Sequence, residues 1–328
     1  MSERGEAGIP PSSERGPSGP APQAPRAGTL SERGEAGTPR SSERGPSASA
    51  PIVRARKGET PLVMVTAYDA PTARIADDAG VDMILVGDSV ANVVLGYDDT
   101  LQVTVDDMVH HVGAVARTEP NALVVGDLPW MSYHVSREDT VRNAARLVRA
   151  GAGAVKLEGG RKRLGAIEAI LDAEIPVMGH LGLTPQSVHA VGGYRVQGKD
   201  LEAAREIIDD AVALAEAGCF AIVLECVPDA VARLATDSVA VPTIGIGAGR
   251  HCDGQVLVLH DLLGLDDRTA PKFVRRYGDL RADATLAVAH FADDVRAGTF
   301  PSSEETYHAA DTVADALEIY GDTAQSHA

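Results

Sequence analysis

The sequence predicts a closed (β/α)8 barrel, in which eight parallel strands alternate with helices. Eight short runs of apolar and β-branched residues follow one another from Leu62 onward, each followed by a helical pattern or a loop. Strands that are apolar on both faces are typical of buried parallel sheets. Five of these runs also lead to an ionisable residue, and barrel enzymes carry their active sites at the carboxyl ends of the strands. We therefore expect a catalytic site at the mouth of the barrel.

The predicted elements alternate regularly along the chain. Strands are predicted at residues 62–67, 83–87, 122–126, 154–157, 175–178, 220–224, 242–246 and 256–259. Helices are predicted at about residues 71–80, 105–117, 137–150, 163–172, 201–217 and 229–234, with extra C-terminal helices at about 279–297 and 308–320. Thr104 is expected to cap the second helix, because its hydroxyl can accept a hydrogen bond from a free N–H. The fifth strand leads to His180 and a glycine-rich loop of about twenty residues, a length typical of binding loops.

Residues 1–50 form a low-complexity segment dominated by Ser, Gly, Pro, Ala, Glu and Arg. Two motifs recur in it with an offset of 29 residues, since residues 2–8 return at 31–37 and residues 12–18 return at 41–47. A segment of this composition has too little apolar surface to join a core, so we expect a disordered arm. We expect a single catalytic barrel domain at residues 51–328.

The charge and cysteine content restrict the partners and the compartment. The net charge is −17, which argues against nucleic acid or an anionic membrane as a partner. No apolar run approaches the roughly 18 to 20 residues of a membrane span, and the N-terminus lacks the apolar region of a secretory signal. We therefore expect a cytoplasmic protein. Cys219, Cys226 and Cys252 form no CxxC pair, which indicates reduced thiols and no zinc site.

Three acidic residues lie at the ends of neighbouring predicted strands. Asp88 follows the second strand, Asp127 the third and Glu158 the fourth. Carboxylate oxygens that converge in this way are suited to an octahedral Mg²⁺ ion, with water or substrate in the open positions. The alternative is that each acid caps a helix or faces solvent. Three acids at equivalent barrel positions favour the metal site.

Lys156 lies two residues before Glu158, so both side chains point to the same side of the strand. A lysine beside a metal can bind a substrate carboxylate, or it can form a Schiff base as in aldolases. The surrounding acids disfavour the Schiff base, because they keep the ammonium protonated. A purely structural salt bridge to one of those acids is the remaining interpretation.

His180 and Glu225 end the fifth and sixth predicted strands. His180 is a candidate metal ligand, a candidate acid or base, or a histidine hydrogen-bonded for structural reasons. The glycines Gly179 and Gly182 around it favour ligand contact, because they allow a close approach to the backbone. Glu225 would face the three acids across the mouth, where a carboxylate can remove an α-proton from a metal-bound keto acid. The alternative for Glu225 is a pair with an arginine.

A glycine-rich segment, Gly245-Ile246-Gly247-Ala248-Gly249, follows the seventh predicted strand. Backbone N–H groups in such a barrel loop can hold an anion, so the residues alone predict a phosphorylated substrate. A GxGxG pattern by itself is only weakly specific.

Seven motifs that appear in order give the chain a resemblance to a known family. They are Val86-Gly87-Asp88-Ser89, Gly126-Asp127-Leu128-Pro129, Val155-Lys156-Leu157-Glu158-Gly159-Gly160, Gly179-His180-Leu181-Gly182-Leu183-Thr184-Pro185-Gln186-Ser187, Gly192-Gly193-Tyr194-Arg195-Val196-Gln197-Gly198, Leu224-Glu225-Cys226-Val227-Pro228 and Ile244-Gly245-Ile246-Gly247-Ala248-Gly249. Over roughly residues 55–300 the sequence resembles the ketopantoate hydroxymethyltransferases. The resemblance implies a barrel of the phosphoenolpyruvate-mutase-like group. It also implies transfer of a hydroxymethyl group from 5,10-methylenetetrahydrofolate to 3-methyl-2-oxobutanoate, a step of pantothenate and coenzyme A biosynthesis.

The same resemblance assigns roles to residues. It implies a Mg²⁺ site at Asp88, Asp127 and Glu158, and keto-acid contacts from Asp88, Ser89, Asp127 and Lys156. Glu225 corresponds to the proton acceptor, and His180 to the histidine near the new hydroxymethyl group. The family is oligomeric, typically decameric, and its folate lies near the mouth. These implications replace the phosphate prediction for residues 245–249.

Two other classes of function stay open at this point. One is a carbon–carbon lyase or mutase of the same barrel group that acts on a 2-oxo acid. The other is a non-catalytic barrel that kept a small-molecule site. The presence of Asp88, Asp127, Glu158 and Glu225 together disfavours the second class.

Overall fold

The computed structural model describes residues 48–187, 193, 196–308 and 312–313, and it contains the predicted closed barrel. Each strand pairs in parallel with the next one along the chain, and the last strand pairs with the first. The strands are β1 (Leu62–Thr66), β2 (Met83–Val86), β3 (Leu123–Asp127), β4 (Ala154–Glu158), β5 (Val177–Gly182), β6 (Ala221–Glu225), β7 (Thr243–Ile246) and β8 (Gly254–Leu257). Because all strands run the same way, their carboxyl ends meet at one rim.

The described helices lie around this barrel, most of them between consecutive strands. They are α1 (Ala50–Ala55), α2 (Ala70–Asp78), α3 (Val90–Val93), α4 (Val105–Ala116), α5 (Arg137–Ala150), α6 (Leu164–Asp172), α7 (Leu201–Ala217), α8 (Asp229–Ser238), α9 (Leu259–Leu263) and α10 (Leu280–Ala297). The predicted cap of α4 is confirmed, since the Thr104 hydroxyl accepts from the Asp107 N–H at 3.3 Å. The carboxylate of Asp107 in turn accepts a hydrogen bond from the Thr104 N–H, which completes a capping box.

Apolar residues of the strands are divided between two layers, one inside the barrel and one between the strands and the helices. In β2, Met83 and Leu85 belong to the cluster inside the barrel, whereas Ile84 and Val86 belong to the cluster between strands and helices. All four side chains are buried. This two-sided burial is the reason why the strands appear in the sequence as continuous apolar runs.

Helix α1 closes the end of the barrel where the strands begin. Its Ala50 and Val53 are buried, and both join the cluster inside the barrel. Ala48 donates a backbone hydrogen bond to the Asn121 carbonyl at 2.7 Å. The packed part of the chain therefore begins before the predicted boundary at residue 50, while residues 1–47 of the predicted arm lie outside the described residues.

Two strands differ from their predicted limits by more than one residue. β5 continues beyond Met178 to Gly182, so that His180 lies within the strand. β8 covers Gly254–Leu257 instead of residues 256–259, and Leu259 already begins α9. A Cβ on Gly254 would lie 2.6 Å from the Leu62 carbonyl oxygen, so this strand position requires glycine. Glycine is rare in strands, which is why the sequence places the strand too late.

The C-terminal region adds a long helix outside the eight barrel units. α10 is confirmed close to its predicted position at 279–297, and none of its residues is buried. The second predicted helix, at 308–320, lies outside the described residues except for 308 and 312–313. In the described part of the chain, no helix combines the length and the apolar character needed to cross a membrane.

Candidate active site

The barrel rim brings six ionisable side chains together. Asp88 follows β2, Asp127 ends β3, Lys156 and Glu158 belong to β4, His180 belongs to β5 and Glu225 ends β6. The strand register places Asp127 opposite Lys156, and Glu158 opposite His180. All of them except Glu225 are between 1% and 5% exposed, so charge in this region is held with little access to water.

Lys156 forms an ion pair with Asp127. Its Nζ donates to both carboxylate oxygens, at 2.8 Å to Oδ1 and 2.7 Å to Oδ2. Burial lowers the pKa of Lys156, but the carboxylates of Asp127, Glu158 and Asp88 outweigh it and hold that pKa above its ordinary value. The amine is therefore protonated and cannot act as a nucleophile, which disfavours the Schiff-base alternative.

Gln186 connects two of the predicted metal-binding acids. Its side-chain Nε2 donates to Asp88 Oδ2 at 2.9 Å, and its backbone N–H donates to Glu158 Oε2 at 3.1 Å. Burial, reinforced by the charge of Glu158, raises the pKa of Asp88 to about 6. Burial also raises the pKa of Asp127 to about 6, against the opposing effect of Lys156. For both carboxylates, the effect of burial on the pKa exceeds the opposing effect of the nearby positive charge.

His180 lies between two carboxylates. Its Nδ1 is 3.4 Å from Glu158 Oε1, and its Nε2 is 3.2 Å from Glu225 Oε2. Neither contact has hydrogen-bond geometry, although both ring nitrogens are buried. Burial and Lys156 lower the pKa of His180, yet the two flanking carboxylates raise it to about 9. His180 is therefore an imidazolium that can donate on both sides near neutral pH.

Ser89 is held in place by a buried tyrosine. The Tyr68 hydroxyl lies 2.8 Å from Ser89 Oγ, and Tyr68 is 1% exposed. Burial raises the pKa of Tyr68 above its ordinary value, so the phenol keeps its proton and can donate it to Ser89. The serine hydroxyl then stays free to donate to a ligand in the cavity.

One cavity of about 540 Å³ occupies the mouth of the barrel. All seven predicted site residues line it, namely Asp88, Ser89, Asp127, Lys156, Glu158, His180 and Glu225. Lys272 and Phe273 form part of its outer wall. From the glycine-rich segment 245–249, only Ile246 lines this cavity. A Cβ on Gly247 would lie 2.8 Å from the Phe273 ring, so that segment packs against the wall.

The residues of this cavity fit a divalent cation that prefers oxygen ligands. Four acids, Asp88, Asp127, Glu158 and Glu225, stand beside two buried basic groups, Lys156 and His180, so full ionisation of this cluster leaves a surplus of negative charge. Among the described residues, no three His, Cys, Asp or Glu side chains enclose a metal ion by themselves. The surplus of negative charge suits Mg²⁺, which takes carboxylate oxygens as ligands and completes its coordination shell with water and substrate.

Comparison with known proteins decides the family. A sequence model of ketopantoate hydroxymethyltransferase matches residues 48–303, which is most of the chain. The chain belongs to the ketopantoate hydroxymethyltransferase family. The match begins at the first described residue and extends past α10.

Curated relatives agree with this membership in the ketopantoate hydroxymethyltransferase family. A 3-methyl-2-oxobutanoate hydroxymethyltransferase from Syntrophomonas wolfei is 54% identical over 263 residues, covering 80% of this chain and 95% of the relative. One from Ignicoccus hospitalis is 58% identical over 250 residues, covering 76% of this chain and 95% of the relative.

Solved structures confirm the barrel type of this family member. The phosphoenolpyruvate phosphomutase from Streptomyces platensis subsp. rosaceus has a TM-score of 0.52 and 18% identity, covering 85% of this chain and 99% of the mutase. An oxaloacetate acetylhydrolase has a TM-score of 0.52 and 15% identity, and the match covers 86% of this chain and 99% of the hydrolase. At this identity the likeness concerns the barrel fold alone.

The structure also adds site residues that the sequence did not assign. Gln186 and Tyr133 are buried beside the acids, and Tyr68 supports Ser89. Gln186 stands inside the motif at residues 179–187, which was the available signal. Tyr133 and Tyr68 follow strand ends in segments without a recognisable pattern, so nothing in the sequence indicated their partners.

Proposed function

We propose that this member of the ketopantoate hydroxymethyltransferase family transfers the one-carbon unit of 5,10-methylenetetrahydrofolate to 3-methyl-2-oxobutanoate, giving 2-dehydropantoate. The observation that supports it most is the position of Glu225. Its side chain is 18% exposed and lines the cavity, and it contacts the buried imidazolium of His180. A base that can reach a ligand therefore stands across the mouth from the Lys156–Asp127 pair.

The keto acid would bind at the base of this cavity. The ammonium of Lys156 and the hydroxyl of Ser89 both line it and can donate to the substrate carboxylate. Asp88, Asp127 and Glu158 are the residues that we assign to a Mg²⁺ ion. A Mg²⁺ ion held by these residues would supply positive charge that stabilises the negative charge developing on the 2-oxo oxygen of the substrate.

Glu225 is the residue that we assign to proton removal. Its Oε2 lies 3.2 Å from Nε2 of the buried His180 ring, and its side chain lines the cavity, so the carboxylate can reach a ligand there. It takes the proton from C3 of the substrate, and the resulting carbon nucleophile forms a bond to the one-carbon unit. Both C–N bonds that hold the one-carbon unit on the folate break, one as the new C–C bond forms and one as water supplies the hydroxyl oxygen. The two folate nitrogens take up the C3 proton and one proton of the water, and tetrahydrofolate leaves. His180 can donate a hydrogen bond to that hydroxyl.

The co-substrate needs a larger and more open space than the keto acid. The outer wall of the cavity, with Lys272 and Phe273, lies on the open side of the acids, and we assign the folate to that side. An apolar ring and a cation suit a flat pterin and an anionic tail.

The lyase or mutase alternative is not favoured. Relatives with 54% and 58% identity bear the hydroxymethyltransferase name, whereas the mutase-like neighbours share less than 20% identity. Identity at that lower level indicates a shared fold and does not indicate a shared reaction.

Turnover tests the proposal directly. The pure protein is incubated with 3-methyl-2-oxobutanoate, 5,10-methylenetetrahydrofolate and Mg²⁺, and 2-dehydropantoate is measured by mass spectrometry. We expect product only when all three are present, and we expect EDTA to abolish it. Cleavage of a 2-oxo acid without folate would support the lyase alternative, and folate-independent formation of product would overturn the assigned donor.

We also propose that the chain forms a homo-oligomer. The support is α10, whose exposed side chains include the apolar Leu286, Val288 and Phe291. Exposed apolar faces of this kind are typical of interfaces. Light scattering after size exclusion measures the assembly, and the double substitution Leu286→Glu and Phe291→Glu should reduce its mass. An unchanged mass would exclude α10 from the interface.

A further inference from the structure

Gln186 uses every polar atom of its side chain although it is only 5% exposed. Nε2 donates to Asp88 Oδ2 at 2.9 Å and to the Leu128 carbonyl oxygen at 3.0 Å. Oε1 accepts from the Tyr133 hydroxyl at 2.6 Å. A buried amide with all of its partners present is fixed in one orientation, because any movement leaves polar groups unpaired.

The partners also determine which way the amide faces. A rotation of the amide by half a turn would bring Oε1 against Asp88 Oδ2 and the Leu128 carbonyl, both of which only accept hydrogen bonds. The observed orientation is therefore the one that the network permits. The donating edge of Gln186 is directed at Asp88.

Gln186 contacts two carboxylates, those of Asp88 and Glu158. The side chain of Gln186 contacts Asp88, and its backbone N–H contacts Glu158 Oε2 at 3.1 Å. Each of these acids is at least nine-tenths buried, at 5% and 4% exposure. Two buried carboxylates repel each other, and neutral donors placed on both keep them close without neutralising either.

Tyr133 connects the two contacts. Its hydroxyl donates to Gln186 Oε1 and accepts from the Glu158 N–H at 3.3 Å. The amide and the strand that carries Glu158 are thus joined through a single hydroxyl.

We propose that Gln186 is a positioning residue, which holds the carboxylates of Asp88 and Glu158 in one arrangement suited to a shared divalent cation. Tyr133 supports it by fixing the orientation of the amide. The inference rests on the proposed function, because that function assigns the cation to these acids. Hydrogen-bond partners of this kind typically change metal affinity by about 10- to 100-fold when they are removed.

Gln186→Met tests the inference in the full-length protein. Methionine keeps the volume and removes both side-chain donors, while the backbone contact to Glu158 remains. Mg²⁺ is titrated by calorimetry without any substrate, and thermal unfolding is measured in parallel without Mg²⁺. We expect the Kd for Mg²⁺ to rise by about 10- to 100-fold, together with a modest loss of Tm. Tyr133→Phe should raise the same Kd by a smaller factor, since the amide keeps its contact to Asp88.

Thr236→Val is the matched control. The Thr236 hydroxyl is buried and pairs with Thr243 Oγ1 at 2.7 Å, and neither threonine lines the cavity. Its removal should lower Tm and leave the Kd for Mg²⁺ unchanged. If Gln186→Met behaves like this control, with lower Tm and wild-type Kd, the residue is merely structural and the inference is overturned.

Two further outcomes are decisive. If Gln186→Met does not fold, the Kd for Mg²⁺ of the Tyr133→Phe protein tests the inference instead. A wild-type Kd in a folded Tyr133→Phe protein would overturn the inference. If the wild-type protein itself binds no Mg²⁺, the metal assignment in the proposed function fails and this inference fails with it. That result is distinguishable from the others, because it appears before any substitution is made.

Discussion

The ammonium of Lys156 contacts both carboxylate oxygens of Asp127 at 2.8 and 2.7 Å, and the two residues are 4% and 1% exposed. Two ions withdrawn from water depend on each other, because either one alone would be a buried unpaired charge. The pair is therefore a structural element of the barrel as well as part of the candidate substrate site.

Removing Lys156 alone should be costly. We expect Lys156→Met to lower the free energy of unfolding by about 3 to 5 kcal/mol, since it leaves Asp127 without its cation. The double variant Lys156→Met with Asp127→Asn should lose clearly less than the sum of the two single losses. Urea unfolding at pH 8 without Mg²⁺ measures all three. Additive losses would show that the two residues are not energetically coupled.

The barrel could be predicted from the sequence because its strands are buried on both faces. The four residues of β2 are all buried and all apolar, and β3 is likewise buried throughout, with Asp127 at its end as its charged residue. β8 was placed two residues late because it begins at Gly254, a glycine required by the close approach of Leu62. A glycine carries no strand signal of its own, so only the packed structure locates it.

The charged members of the candidate site and Ser89 could be predicted from the sequence, but the neutral residues that support them could not. Asp88, Asp127 and Glu158 are recognisable because acids at consecutive strand ends form a pattern. Gln186 contacts Asp88 across 98 residues of sequence, and neither its residue type nor its spacing indicates that partner. The assigned roles remain predictions, and the experiments below test them.

Asp88 should make stability depend on pH in a defined direction. Burial and Glu158 raise its pKa to about 6 from the ordinary value of 3.8, so between these values the folded protein binds more protons than the unfolded chain. Its contribution to stability is full below pH 3.8 and is lost as the pH rises through 6. That loss is on the order of 3 kcal/mol.

The comparison of Asp88→Asn with wild type isolates this effect. Asparagine does not titrate, so the Tm difference between variant and wild type should shift in favour of the variant as the pH rises from about 4 to about 7. The measurement is made without divalent cations, and added Mg²⁺ should reduce the shift by offsetting the charge of the wild-type site. The exposed Asp237, as Asp237→Asn, is the control and should show a much flatter difference. A pH-independent difference for Asp88→Asn would contradict the raised pKa.

Helix α1 should contribute to stability even though it precedes the first strand. Val53 is 1% exposed inside the barrel cluster, whereas its neighbour Ile52 is 43% exposed. We expect Val53→Ala to cost about 2 kcal/mol in urea unfolding through lost burial and a residual cavity. Ile52→Ala should change the unfolding free energy by less than about 0.5 kcal/mol. Equal losses would mean that α1 does not close the barrel as described.

Glu225→Gln should separate binding from chemistry. The amide keeps the shape of the carboxylate and cannot accept a proton, so the affinities for Mg²⁺ and keto acid should remain near wild type. Turnover should fall by about 10² to 10⁴, the usual contribution of a positioned general base. The exposed Glu216→Gln is the control for loss of one negative charge and should leave turnover unchanged.

Proton exchange in D₂O identifies the base without any folate. If Glu225 removes the C3 proton before the one-carbon unit is transferred, the wild-type protein with Mg²⁺ should exchange that proton of 3-methyl-2-oxobutanoate for deuterium, and proton NMR follows the loss of signal. Glu225→Gln should exchange it far more slowly. His180 cannot easily replace the base, because its neighbours Glu158 and Glu225 raise its pKa to about 9 in spite of burial and keep it protonated. Exchange at the wild-type rate in Glu225→Gln would nevertheless move the role to another group, and His180→Asn would then be the variant to measure. Slow exchange together with intact Mg²⁺ and keto-acid binding would leave Glu225 as the proton acceptor, because only the proton transfer step separates the two proteins.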